Sequence, residues 1–189
     1  MKFFITIRSV IALGALALIM NGCAEEENPA IPPADDEHMP PTTMVVVLKE
    51  TGKSDSTKSL VRDTTLVKGK PMVEDSLHIE SGKTYAGYIL LWNESVTPVE
   101  DATHEIKGEK NEHLFVFTAT GNAIGRFSIT GLEKDDNGAD FGLTFTASVS
   151  GSGSAFGGLR IQLRHYGSSP KNGTIFDTDI DQTFPVLIQ

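Results

Sequence analysis

A succession of short apolar runs, rich in Val, Ile, Phe, Tyr and Thr, constrains this chain more than any other feature. They are Met44 to Leu48, Leu77 to Ile79, Tyr85 to Trp92, Leu114 to Phe117, Gly125 to Leu132, Phe141 to Val149, Leu159 to Leu163 and Phe184 to Ile188. Gly, Asn, Asp and Ser separate them. Runs of this length and composition, bounded by turn residues, predict an all-β fold: a single antiparallel β-sandwich of immunoglobulin-like type. Asp135-Asp136-Asn137-Gly138 predicts a hairpin, because Asn-Gly supplies the positive φ angles of a tight turn. A weak strand is expected near Ser59 to Leu66. Trp92, the only tryptophan, closes an apolar run and is expected to anchor the core. The chain has one cysteine, so no intrachain disulfide can form and stability must come from the core or from a bound metal.

One segment breaks the strand pattern. Thr97-Pro98-Val99-Glu100 reads as a capping box with proline at the first helical position. Val99, Ala102 and Ile106 then share a helical face, which predicts one short helix from about Pro98 to Lys107.

The first 42 residues divide into a signal and a tether. Lys2 and Arg8 precede a charge-free apolar stretch from Ser9 to Met20, which Asn21-Gly22-Cys23 closes. A basic start, a short apolar core and small residues at its end describe an export signal over residues 1–22. The stretch is shorter than the ~20 residues that a membrane span needs. Cys23 stands where the lipidated cysteine of a bacterial lipoprotein belongs, so lipidation is expected there and residues 23–42 become its spacer. That spacer holds Glu25, Glu26, Glu27, Asp35, Asp36 and Glu37, five prolines and no basic residue, a composition that favours an extended tether. The folded β-sandwich domain is therefore assigned to residues 43–189. Ala24 follows the cysteine, so the Asp that signals inner-membrane retention is missing and the outer membrane is expected.

Charge narrows the partners. The chain carries 25 acidic against 16 basic residues and a net charge of −9. Phosphate binding needs a basic patch, so no nucleic-acid partner is expected. Catalysis is not expected either, because no serine sits in a strand-to-helix nucleophile elbow and the one cysteine is assigned to the terminus.

The densest set of potential ligands is Glu100, Asp101, His104, Glu105, Glu109, Glu112 and His113. Alternation puts His113 in line with Phe115 and Phe117, and His165 in line with Leu159, Ile161 and Leu163. Two histidines that each end an inward row can meet at one end of a sandwich. Imidazole with carboxylate suits zinc and related divalent ions. The expected metal ligands are His113, His165 and Glu112, with one or more of His104, Glu105 and Glu109 completing the set. The alternative is that both histidines are hydrogen-bonded rim residues and that the carboxylates form a solvated helix face. Asp177-Thr178-Asp179-Ile180-Asp181 mimics a calcium loop but lacks its later Gly and Glu, and reads as a turn into the last strand.

Leu91-Trp92-Asn93-Glu94, Glu105-Ile106, Glu109, Glu112-His113, Asp135 to Gly138 and Leu159 to His165 with Pro170-Lys171 occur in an ordered series. Taken together, they resemble a family of small Gram-negative lipoproteins labelled "type 1 periplasmic binding fold superfamily protein". The resemblance covers roughly residues 43–189. Family members are often encoded beside TonB-dependent outer-membrane receptors, which implies such a receptor as partner and a role in nutrient or metal uptake. The label's two α/β lobes do not suit a chain with about one helix, and the strand pattern favours the sandwich. Two functions are thus expected from the sequence. One is a zinc-binding outer-membrane lipoprotein that serves a TonB-dependent receptor. The other is a non-catalytic β-sandwich module that binds a protein or glycan without metal.

Lipidation is tested directly: Cys23→Ala should move the protein from the membrane to the soluble exported fraction. A wild-type protein that incorporates no labelled fatty acid would refute the anchor.

Overall fold

The structure, a computed structural model, describes residues 41–62 and 72–189. The signal 1–22, Cys23 and nearly all of the tether lie outside the described residues, as do residues 63–66 of the weak strand. Over the described residues the fold is an all-β sandwich with one short helix.

The strands are β1 (Thr43–Glu50), β2 (Ser56–Arg62), β3 (Met72–Glu74), β4 (Leu77–Ile79), β5 (Thr84–Asn93), β6 (Glu100–Asp101), β7 (His113–Gly121), β8 (Phe127–Thr130), β9 (Thr144–Val149), β10 (Ala155–His165) and β11 (Asp177–Ile188). Helix α1 (Ala102–Gly108) lies between β6 and β7. One sheet runs β3-β2-β1-β5-β9-β8, with β6 also paired to β5. The other runs β4-β11-β10-β7. Among the described residues all strand pairings are antiparallel except β4 with β11.

Alternation builds the core. Met44, Val46 and Leu48 of β1, with Tyr85, Ile89 and Leu91 of β5, pack against Phe115, Leu159, Ile161, Leu163, Phe184 and Val186 of the second sheet. Val45 and Val47 point outward and are nevertheless buried. β1 lies between β2 and β5, so Leu60 and Leu90 flank Val45, and Lys58 and Tyr88 flank Val47. Gly87 sits opposite Phe145. A Cβ on Gly87 would lie only 2.2 Å from the Phe145 ring, so the missing side chain is the space the ring fills.

Two expectations need correction. Trp92 does not anchor the core. It shares the outward row of β5 with Tyr88 and Leu90, and it is only half-buried. The helix does not start at Pro98. Glu100 and Asp101 pair with Asn93 and Trp92 as a strand, so helical geometry begins only at Ala102. Asp101 is the N-cap and accepts from the Thr103 amide at 2.9 Å, while Val99 is 57% exposed and staples nothing.

The helix is joined to β5 on the edge away from β1, between its pairings with β9 and β6. The Thr103 hydroxyl accepts from the Leu91 amide at 2.8 Å and donates to the Leu91 carbonyl at 3.1 Å. Ala102 and Ile106 face the core from the same turn. This attachment leads the chain through residues 109–112 into His113.

Packing at Gly87 yields a stability test. Gly87→Ala should destabilise the domain by about 2 kcal/mol, the usual scale for overpacking, although strand entropy alone favours alanine. Adding Phe145→Leu should recover part of that loss in denaturant titration. An additive double mutant would contradict the packing account.

Candidate metal centre

The site grows out of strand register. β7 and β10 pair Phe117 with Ile161, Phe115 with Leu163 and, at the end of the ladder, His113 with His165. Leu159, Ile161 and Leu163 are fully buried, so both histidines are carried to the core-facing side at one end of the sheet. Their imidazoles stack with centroids 4.6 Å apart and planes 10° from parallel.

A third group comes from β11. Leu163 pairs with Ile180 and Arg164 with Thr178, which leaves Asp179 as the extra residue of a β-bulge. Strict alternation would put Asp179 on the same face as Asp181, which instead pairs with Arg160 outside the sheet. The bulge turns Asp179 towards the histidines, and its Oδ2 lies 3.4 Å from His113 Nε2. His113, His165 and Asp179 each offer a ligand atom, and these atoms lie within 4.8 Å of one another.

His113 is 2% exposed. Its Nδ1 lies 3.2 Å from the Glu109 main-chain oxygen and its Nε2 3.4 Å from Asp179 Oδ2, and both partners can only accept. A neutral ring carries one proton, so one of these two contacts sets a lone pair against an acceptor; with the proton on Nδ1, that contact is the one with the Asp179 carboxylate. Two acceptors 3.4 Å apart repel unless a positive charge joins them, either a second proton on His113 or a metal ion. His165 is more exposed, and its Nε2 lies 3.3 Å from Glu112 Oε2 at the solvent side of the cluster.

The donor chemistry fits a divalent transition ion. Two imidazoles and one or two carboxylates make a zinc set, and an Nδ1 held by a backbone carbonyl is the usual outer partner of a ligating histidine. A tetrahedral zinc site has ligand atoms about 3.3 Å apart. The His113–Asp179 edge already has that length, whereas parallel rings send their lone pairs side by side. Joint ligation therefore requires the His165 ring to tilt.

Of the residues expected from sequence, His113, His165 and Glu112 are brought together. Glu109 lies beside them, with Oε2 3.8 Å from His113 Nδ1, and holds the ring mainly through its carbonyl. His104 and Glu105 are not brought in. Both are exposed on α1, and His104 borders a cleft with Tyr88, Asp101 and Lys107 instead. Asp179 was not among the expected ligands, and the turn expected at Asp177 to Asp181 is the first part of β11.

The loops behind the site are tied by a buried ion pair. Lys171 Nζ donates to Asp135 Oδ2 at 2.9 Å and to the Lys110 carbonyl at 2.7 Å, which fixes the segment entering His113. Asp135 Oδ1 accepts from the amides of Asn137 and Ala139. Only Gly138 in that turn has positive φ, so Asp135 shapes the turn as much as Asn-Gly does, and just one bridge, Lys134 to Asp140, closes it. Burial raises the Asp135 pKa, but Lys171 and the two amides outweigh it and hold the carboxyl below its ordinary value.

Comparison of the chain with protein families, curated proteins and solved structures finds no match.

A folded-state pKa below the unfolded one means that Asp135 contributes stability above about pH 4, and that this contribution is lost as pH falls through the folded value. Lys171→Met should therefore cost about 3 kcal/mol at neutral pH. The deficit relative to wild type should narrow in acid. A deficit that stays constant from neutral to strongly acid pH would show that the ion pair is not its source.

Proposed function

We propose that this chain is an outer-membrane lipoprotein whose sandwich domain binds a divalent metal ion, zinc, in support of TonB-dependent uptake. The observation that carries the metal reading is the contact of His113 Nε2 with Asp179 Oδ2 at 3.4 Å while Nδ1 is engaged by the Glu109 carbonyl. A bound cation removes the repulsion between those two acceptors.

In this reading His113 and Asp179 are the inner ligands and His165 the outer one. Glu112, half exposed beside His165, supplies a further oxygen or receives the arriving ion. Imidazole with carboxylate selects zinc and its neighbours over magnesium or calcium, which prefer all-oxygen sets. The protein acts as a binder, not a catalyst. Support for the lipid anchor is the order of basic, apolar and Gly-Cys residues ahead of Cys23. Support for the receptor partner is the ordered resemblance from Leu91 to Lys171 described above.

Calorimetric titration of zinc into chelator-stripped protein tests the site. Asp179→Asn and His165→Ala should each weaken binding at least tenfold, the scale already seen for loss of outer partners. His104→Ala should bind like wild type. Affinity should fall as pH is lowered, because each ligand must lose its proton. If wild type binds zinc no tighter than the Asp179→Asn, His165→Ala double mutant, the cluster is a hydrogen-bonded rim and not a metal site.

A further inference from the structure

His104 is left over from the metal cluster, and its surroundings have chemistry of their own. It borders an open cleft of about 340 Å³ between α1 and β5, lined also by Tyr88, Leu90, Asp101, Lys107 and Thr144. Clefts of this size take small ligands. We propose that the cleft is a subsite for a neutral saccharide ring. The inference is independent of the metal reading.

Tyr88 projects from the outward face of β5 and is 40% exposed, so its ring offers an apolar platform to the C–H face of a sugar. Polar groups of both kinds line the same cleft. Asp101 caps α1 through Oδ1, and among the described residues Oδ2 has no partner, so it can accept from a sugar hydroxyl. His104 is exposed and can donate or accept. Lys107 Nζ is 3.9 Å from Glu133 and its side chain is 57% exposed, loose enough to reach a ligand oxygen.

Charge and hydrogen bonding disfavour an anion and an added peptide strand. Lys107 has Glu133 at 3.9 Å and Asp101 is acidic, so the cleft has no surplus of positive charge to hold an anion. A peptide strand cannot add to β5 beside the cleft, because that edge is taken. The Ile89 amide donates to the Leu143 carbonyl, Leu91 is bonded to Thr103 in both directions, and Trp92 and Asn93 pair with β6. What remains is a compact, neutral molecule with one apolar face and a rim of hydroxyls.

The test is amide-resolved NMR of the intact domain titrated separately with maltose, cellobiose and diacetylchitobiose at millimolar concentration. At least one sugar should give saturable shifts at Tyr88, His104, Lys107 and Thr144. Tyr88→Ala should weaken that binding about tenfold, and Tyr88→Leu, which keeps the bulk but not the ring, should weaken it too. Zinc binding should be unchanged in both variants, which separates failure here from failure of the metal site. Absence of saturable shifts with all of these sugars, or wild-type titration by both Tyr88 variants, would overturn the proposal.

Discussion

The in-register pairing of β7 with β10 is the constraint on which both the second sheet and the candidate site depend. β10 is an inner strand of that sheet, and Leu159, Ile161 and Leu163 on its core face are completely buried. A slip of one residue would send all three to solvent and bring Arg160, Gln162 and Arg164 into the core. The register is therefore held by a penalty far larger than any contribution from the histidines. His113 and His165 stack because the apolar rows that they terminate admit no other alignment.

The rest of the site is built on that alignment by elements that approach from other directions. β11 adds Asp179 through its bulge, on the opposite side of β10 from β7. Helix α1, bonded to β5 through Thr103, delivers the turn whose Glu109 carbonyl orients the His113 ring. Lys171 closes the back of the same turn against Asp135. Three loops and three strands thus converge on one buried imidazole. Such a side chain is held rigidly, which lowers the cost of organising a ligand for an incoming ion.

The two candidate sites contrast in how they are held. The His113 ring is buried, and a main-chain carbonyl holds it. The cleft at Tyr88 is open, and its polar groups are exposed and loosely held. The first arrangement suits an ion, whose binding depends on donor geometry, and the second suits a hydroxyl-rich ring, whose binding depends on many weak contacts.

Much of the fold was legible because burial on one face of a sheet leaves a period-two trace. The runs at Met44, Tyr85, Leu114, Leu159 and Phe184 all lie in strands of the sandwich, and the rows ending in His113 and His165 marked the two histidines as able to meet, which the pairing of β7 with β10 brings about. Other features carry no such local trace. Trp92 belongs to the outward row because the phase of β5 is set by Ile89 and Leu91, which pack on the second sheet. The helix begins after Asp101 because Glu100 and Asp101 hydrogen-bond to a strand edge seven or more residues away. Asp179 faces His113 only because an extra residue in β11 breaks the alternation that a reader of sequence must assume. Sequence alone determined the sandwich and the inward face of each histidine, since both follow from alternating hydrophobic burial. Tertiary structure alone decided which carboxylate joins them and which histidine is left at the surface, since a bulge and a helix attachment depend on partners distant in the chain.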